Sequence, residues 1–309
     1  MNKIRLLLLC LCILAICSTG CPSDPYRPYT CGDEPFACNG LFYTLPYLNP
    51  VKCDSYNDII LYSNGIIVKG GFNSQVSYSL NQVCGSDTVT DFAFYDRYIK
   101  NRNNTPDSIT IKLDGFALVL SPQTCYKMAW FDDILLEFGN VGPDSILLVN
   151  AVSVDVNHLQ QIYILDYGDN SIKIFDKFGN FLSKWTNIGI PEFLKIYNQK
   201  VWILDELDGS IRIYDFNGVY QDSIENRGQW SEITAFKPND DNSIWISDLN
   251  GHRISLYSSG EIIYEFQRDF CYMDAIFEFG RIVSLEGSFG VTAIDIENNL
   301  VIDFTENYY

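Results

Sequence analysis

Histidine is scarce. His158 and His252 are the only two in 309 residues, so one chain cannot build a multi-histidine metal centre. No G-x-S-x-G elbow and no phosphate-cradling glycine loop occurs, which removes the signatures of serine hydrolases and nucleotide binders. No closely spaced C-x-x-C pair is present, so a structural zinc site has no scaffold. No apolar run reaches the ~20 residues that a membrane-crossing helix needs, and no long amphipathic helix pattern is found. Positive charge is short as well: 21 Lys and Arg stand against 39 Asp and Glu, for a net charge of −18. A surface of that sign repels nucleic acid and anionic membrane faces. Its plain consequence is solubility; its sharper one is attraction of cations or basic partners.

What is abundant is strand chemistry. Tyr and Phe number 20 each, and aromatic residues make up 15% of the chain, a composition that suits stacked sheets. The stretch from Gln161 to Trp185 (QIYILDYGDNSIKIFDKFGNFLSKW) alternates apolar residues as half-buried strands do. Turns at Gly168–Asn170 and Lys177–Asn180 separate its runs. The same pattern returns from Lys200 (KVWILDELDGSIRIYDFNGVYQDSI) and from Ser243 (SIWISDLNGHRISLYSSGEIIYEF). Tyr163, Trp202 and Trp245 coincide. So do Asp166, Asp205 and Asp248, then Phe175, Tyr214 and Tyr257, then Gly179, Gly218 and Gly260. The acidic position recurs after 39 residues and again after 43. Four short strands at a period of ~40–45 residues mark a propeller blade. Such a sheet cannot bury its apolar face alone, so blades stack in a ring.

The repeat resembles that of the NHL-type six-bladed propellers. Asp166 with Asn170, and Asp176 with Gly179, match its turn positions; in the next copy Asp208-Gly209 takes the place of the Asn. Weaker copies extend the array. Phe116–Leu120 with Cys125–Met128 read as a strand pair, and Leu136–Asp155 resembles the passage between blades. Arg281–Glu286 with Val291–Ile296 form a fifth pair that places Glu286 in the acidic column. A sixth blade is expected between Val51 and Tyr98, from the strands DIILYS and DFAFYDRYI. The expected fold is therefore all-β, a six-bladed propeller over residues 51–309.

Two segments precede it. Residues 1–20 read as an export signal, with Lys3 and Arg5 ahead of the apolar core Leu6–Ile16. Ser18-Thr19-Gly20-Cys21 resembles a bacterial lipobox, which implies lipidation of Cys21 and a membrane-anchored protein of the cell envelope. The alternative is an ordinary secretory signal with Cys21 in a disulfide. Residues 21–50 form a tether; Pro22–Pro50 holds six of the eleven prolines. Of ten cysteines, six lie beyond Cys21: Cys31, Cys38, Cys53, Cys84, Cys125 and Cys271. An even number in an exported chain points to disulfides, with connectivity open. Four Asp-Ser/Thr-apolar triplets, at Asp87, Asp107, Asp144 and Asp222, resemble the O-glycosylation sequon of Bacteroidota; turn chemistry accounts for them equally well.

The column Asp166, Asp205, Asp248 and Glu286 has two readings. Each acid can accept hydrogen bonds from its own turn, or the ring of carboxylates can hold a divalent cation such as Ca²⁺. A residue repeated in every blade usually serves the blade, which favours the first. The aromatic column Tyr163, Trp202, Trp245 has the spacing of inter-blade packing. The turns after the second strands and the linkers between blades share one face. On it stand Arg227, Trp230, Arg268, Tyr272, Asp208 and His252, the residue types that anchor recognition sites. The sequence thus predicts a lipid-anchored binding or scaffold module for a protein or glycan, without a cofactor. The alternative is an enzyme of lactonase or lyase type, which would need a cation at the propeller axis.

Overall fold

The structure is a computed structural model that describes residues 50–54, 59–62, 66–69, 76–79, 89–95, 116–129, 133–144, 146–239, 243–248, 250–251, 253–267, 273–278, 282–286, 290–295 and 300–303. These residues form six four-stranded antiparallel sheets, each a meander of consecutive strands. The first holds β1 (Pro50–Asp54), β2 (Ile59–Tyr62), β3 (Ile66–Lys69) and β4 (Val76–Ser79). The second holds β5 (Asp91–Tyr95), β6 (Phe116–Leu120), β7 (Cys125–Ala129) and β8 (Asp133–Phe138). The third holds β9 (Ala151–Val156), β10 (Ile162–Asp166), β11 (Ser171–Phe175) and β12 (Phe181–Trp185). The fourth holds β13 (Pro191–Tyr197), β14 (Lys200–Asp205), β15 (Ile211–Asp215) and β16 (Tyr220–Ile224). The fifth holds β17 (Ile233–Pro238), β18 (Ile244–Asp248), β19 (Arg253–Ser258) and β20 (Glu261–Gln267). The sixth holds β21 (Met273–Glu278), β22 (Ile282–Glu286), β23 (Gly290–Asp295) and β24 (Leu300–Asp303).

First strands of neighbouring sheets lie side by side: β5 against β9, β9 against β13, β17 against β21, and β1 against both β5 and β21. This is the arrangement of a β-propeller, with first strands inside and fourth strands outside. One boundary differs from the sequence reading. Asp91–Tyr95, grouped above with Ile59–Tyr62 in the expected sixth blade between Val51 and Tyr98, is the inner strand of the second sheet and pairs with Phe116–Leu120. A strand run carries no mark of which neighbour it will pair with, and 20 residues of sequence stand between this run and its partner.

Period-two alternation places the core between the sheets. On β10, Ile162 and Ile164 pack with Leu118, Leu120 and Phe138 of the second sheet. Tyr163 and Leu165, on the other face, pack with Leu194, Val201, Ile203 and Tyr214 of the fourth. Trp202 and Leu204 repeat the rule against Ile233, Phe236 and Ile246 of the fifth. The second strands β10 and β14 are therefore buried on both faces, and each full side-chain burial contributes roughly 1.5–3 kcal/mol. Tyr163 and Trp202 of the aromatic column join these interfaces as expected. Tyr163 meets Trp185 edge-on at 5.6 Å and Phe216 of the next blade at 5.9 Å. Burial pushes its hydroxyl up to about 12, so it stays neutral.

Side-chain carboxylates also join inner strands. Asp91 on β5 accepts from Val154 N at 2.8 Å and Ser153 Oγ at 3.0 Å on β9. Asp155 on β9 accepts from Ile196 N at 2.7 Å on β13. The Asp-x-x-Gly turns have a local cause. Asp215 Oδ1 accepts from Asn217 N and Val219 N, at 2.8 and 2.9 Å, and Gly218 turns the chain at φ 78°. Those bonds, Val219's first, hold the Asp215 carboxyl below the usual range.

Cys125 is buried in β7. The side chains of the other five mature cysteines lie outside the described residues, as do Cys21, the signal, residues 21–49 of the tether and the sequon residues Asp87 and Asp107; Pro50, placed above in the tether, opens β1. Asp222-Ser223-Ile224 lies in the outer strand β16, not in a turn.

Candidate functional site

The acidic column is built into the blades. Asp166, Asp205 and Asp248 are fully buried at the ends of β10, β14 and β18. Each accepts from its own turn, as the first reading held: Gly168 N at 3.1 Å, Leu207 N at 2.9 Å and Gly251 N at 3.0 Å. Two further partners emerge only from the fold. One is the linker entering the same blade. Asp166 accepts from Val149 N and Asn150 N, both at 2.8 Å, and Asp248 from Ser231 N and Glu232 N, both at 3.0 Å. The other is a cation from the third strand: Lys173 at 2.6 Å, Arg212 at 2.6 Å and Arg253 at 3.0 Å. A second, more exposed acid completes each group: Asp169 at 2.8 Å from Lys173, Asp208 at 3.2 Å from Arg212, and Glu265 at 2.8 Å from Arg253. At Asp205 the linker passes so close that a Cβ on Gly189 would lie 1.8 Å from Oδ2. The carboxylates of Asp166 and Asp248 thus hold turn, linker and third strand together, and that of Asp205 holds turn and third strand. Glu286 sits at the matching end of β22 in backbone terms.

These bonds also show that the turns and the linkers share one rim. Backbone bonds from Tyr167 N to Asn150 O and from Glu206 N to Ile190 O say the same. At this rim the inner strands carry β-bulges: between Pro191 and Phe193, and between Ile233 and Ala235. A bulge re-aims a side chain away from the ladder. The first of them makes Glu192 the extra residue, opposite Asp205. Burial by the surrounding protein pushes the Glu192 carboxyl up, and the charges of Glu206 and Glu232 push it further, although the residue keeps an exposed surface. Glu206 accepts the Tyr167 hydroxyl, a bond that raises the tyrosine's own pKa. Asn250 Nδ2 donates to Glu232 Oε2 at 2.6 Å. Between these acids stand exposed apolar tips: Val149 at 50%, Tyr167 at 39% and Leu207 at 77% exposure. The result is an acidic, partly apolar surface drawn from three successive blades.

The residues singled out from sequence fare differently. Arg227 is exposed on the linker between the fourth and fifth sheets, in the left-handed region at φ 45°. Asp208 is exposed on the turn after β14, where it is engaged by Arg212 and by Ser210 N at 2.9 Å. The two segments abut: a Cβ on the neighbouring Gly209 would lie 2.7 Å from Asn226 Nδ2. Trp230 is not at the surface. It is 2% exposed, packs edge-on against Tyr257 at 5.3 Å and belongs to the core between the fourth and fifth sheets. Asn226 clamps its backbone through Trp230 N at 2.8 Å and Trp230 O at 2.9 Å, which turns the indole inward and corrects the expectation of a ligand-stacking anchor. Arg268, Tyr272 and His252 lie outside the described residues. His158 is on the opposite rim, against Phe216 at 5.7 Å. Among the described residues no group of three or more His, Cys, Asp or Glu is placed to hold a metal ion.

No known protein family and no curated protein is matched by the sequence. Solved structures match the fold. Virginiamycin B lyase from Staphylococcus aureus superposes with a TM-score of 0.57 at 13% identity, over 84% of this chain and 85% of that one. A protein of unknown function from Bacteroides caccae gives 0.53 at 11%, over 82% and 91%. The BBS1 N-terminal domain, solved in complex with ARL6, gives 0.53 at 12%, over 78% and 75%. At such identities the likeness establishes an all-β propeller and nothing about activity.

Proposed function

We propose that this chain is a six-bladed propeller of the NHL type, anchored to a bacterial envelope membrane through lipid on Cys21, that binds a basic segment of a partner protein on the turn-and-linker rim. The observation that carries the reading is the rim itself. Glu192, Glu206 and Glu232 converge from adjacent blades around the exposed tips of Val149, Tyr167 and Leu207. A Lys/Arg-bearing segment with an apolar residue complements both features, and charge complementarity raises its rate of encounter. Asp208 and Arg227 flank the surface; repeat position adds Arg268, Tyr272 and His252. Six sheets, with β1 against both β5 and β21, support the blade count. The propeller fold serves lyases and protein-binding modules alike. The repeated acids do not serve the cation-dependent lactonase or lyase reading, because Asp166, Asp205 and Asp248 are each ion-paired with Lys173, Arg212 or Arg253.

Titration of the full chain with a Lys/Arg-rich peptide carrying one aromatic residue tests this. The double change Glu206→Gln with Glu232→Gln should weaken binding at least tenfold, about 1.4 kcal/mol, with the melting midpoint unchanged. Because the Glu192 carboxyl titrates above the ordinary range, affinity should begin to fall at a higher pH than unperturbed glutamates allow. Equal affinity for both proteins would sink the assignment. The anchor is tested separately. Cys21→Ala should yield uncleaved precursor or released protein, since acyl chains hold a protein on a membrane only where they are attached. A variant still processed and membrane-bound would remove the lipid from the argument.

A further inference from the structure

The opposite rim carries a cleft of about 390 Å³ between the second and third sheets. That is within the ~300–1,000 Å³ of ordinary small-ligand sites. Three chain segments build it. Tyr95 ends the inner strand β5, His158, Leu159 and Gln160 form the turn after β9, and Asp176, Lys177 and Phe178 form the turn after β11.

Both turns are rigidly held from behind. Asn157, buried at 1% exposure, accepts Leu159 N and Gln161 N at 2.9 Å through Oδ1 and donates to Gln161 Oε1 at 2.8 Å. Asp176 accepts Phe178 N at 2.8 Å and Asn180 N and Nδ2 at 2.9 Å, so its oxygens are taken up by its own turn. Lys127 donates to the Lys177 carbonyl at 2.7 Å while lying over the Phe116 ring at 4.2 Å, and Tyr95 stacks on that same ring at 5.3 Å. The two lysines stand close enough that the charge of Lys177, after burial, lowers the Lys127 pKa. With the Asp176 carboxylate beside them, the two lysines leave one net positive charge at this spot in a chain of net charge −18. Phe178 and Leu159, at 65% and 62% exposure, present apolar surface beside it. Gln160 and His158 add hydrogen-bonding groups that neither turn consumes in holding its shape.

We propose that this cleft binds a ring carrying a carboxylate, specifically a uronic-acid sugar at the end of a glycan. The apolar face of a pyranose lies on Phe178 and Leu159, its carboxylate meets the Lys177 ammonium, and Gln160 and His158 address its hydroxyls. The parts required are an exposed aromatic face, a cation at its edge and nearby amide and imidazole groups. The carboxylate is what distinguishes this ligand from a neutral sugar, because only a charged group pairs with the exposed Lys177 ammonium.

The test titrates glucuronate, glucose and benzoate into the full chain in mild detergent, with binding followed by ligand-detected NMR. Glucuronate should bind at least tenfold more tightly than glucose and benzoate. Lys177→Gln should erase the preference over glucose, and Phe178→Ala should weaken glucuronate at least fivefold. Both side chains are exposed, so the melting midpoint should not move; Glu206→Gln, on the other rim, should leave glucuronate binding intact. Equal binding of glucuronate and glucose overturns the carboxylate role. Tighter binding of benzoate overturns the sugar. Unchanged affinity in both variants overturns the site.

Discussion

Replacing Asp166 with alanine should lower the unfolding free energy by about 3–5 kcal/mol, the range for removing one partner from a buried ion pair. Both Asp166 and Lys173 have fully buried side chains, 2.6 Å apart. Alanine would leave the ammonium with only Asp169 and the Leu147 carbonyl, and would remove the acceptor of the Val149, Asn150 and Gly168 N–H groups. Those three residues are exposed, so water can take over part of their bonding and the buried ion pair sets the larger share of the cost. Lys173→Met should cost less. Three backbone N–H groups would still solvate the Asp166 carboxylate, and a methionine fits the apolar stem of the lysine. Urea unfolding of the three proteins decides this, with a lower midpoint and an unchanged slope as the mark of lost stability. If Lys173→Met proves as costly as Asp166→Ala, the ion pair dominates and the backbone clamp is secondary.

Tyr163→Ala should be comparably severe, about 3–5 kcal/mol, as for other large aromatic truncations in a core. Tyr163 is fully buried and bridges two blades, meeting Trp185 of its own sheet and Phe216 of the next. Tyr163→Phe keeps the ring and should cost under about 1.5 kcal/mol, the weight of one hydrogen bond; here that is the bond from Asn157 at 3.4 Å. A double-mutant cycle with Phe216→Ala should return about 0.5–1.5 kcal/mol of coupling, the excess that aromatic pairs carry beyond area. Additive effects of the two changes would show that the blades meet here by area alone.

Much of the fold was legible because its rules are local. Alternation in Ile162–Asp166 follows from the pleat, and the turn at Asp215–Gly218 follows from one carboxylate and one left-handed glycine. Both recur at a fixed period, so the repeat could be read along the chain. The aromatic column was legible for the same reason. The linker residue Trp230 was not: from sequence it looks like an exposed anchor, and only Asn226 and the neighbouring sheet turn it inward. Lys173, Arg212 and Arg253 went unread because their distance from the column acid varies with turn length, seven residues in two blades and five in the third.

By itself, then, the sequence determined that strands form, that they repeat, and where each turn falls, since these depend on neighbours a few residues away. Only the tertiary structure decided which acids are buried and which stand at the surface. Asp166, Asp205 and Asp248 disappear beneath linkers, while Glu192, Glu206 and Glu232 meet at the rim from positions with no common place in the repeat. The far cleft has the same origin, with Tyr95 and Lys177 brought together from different blades. Such meetings depend on how blades pack around the axis, a long-range outcome that no window of the chain contains.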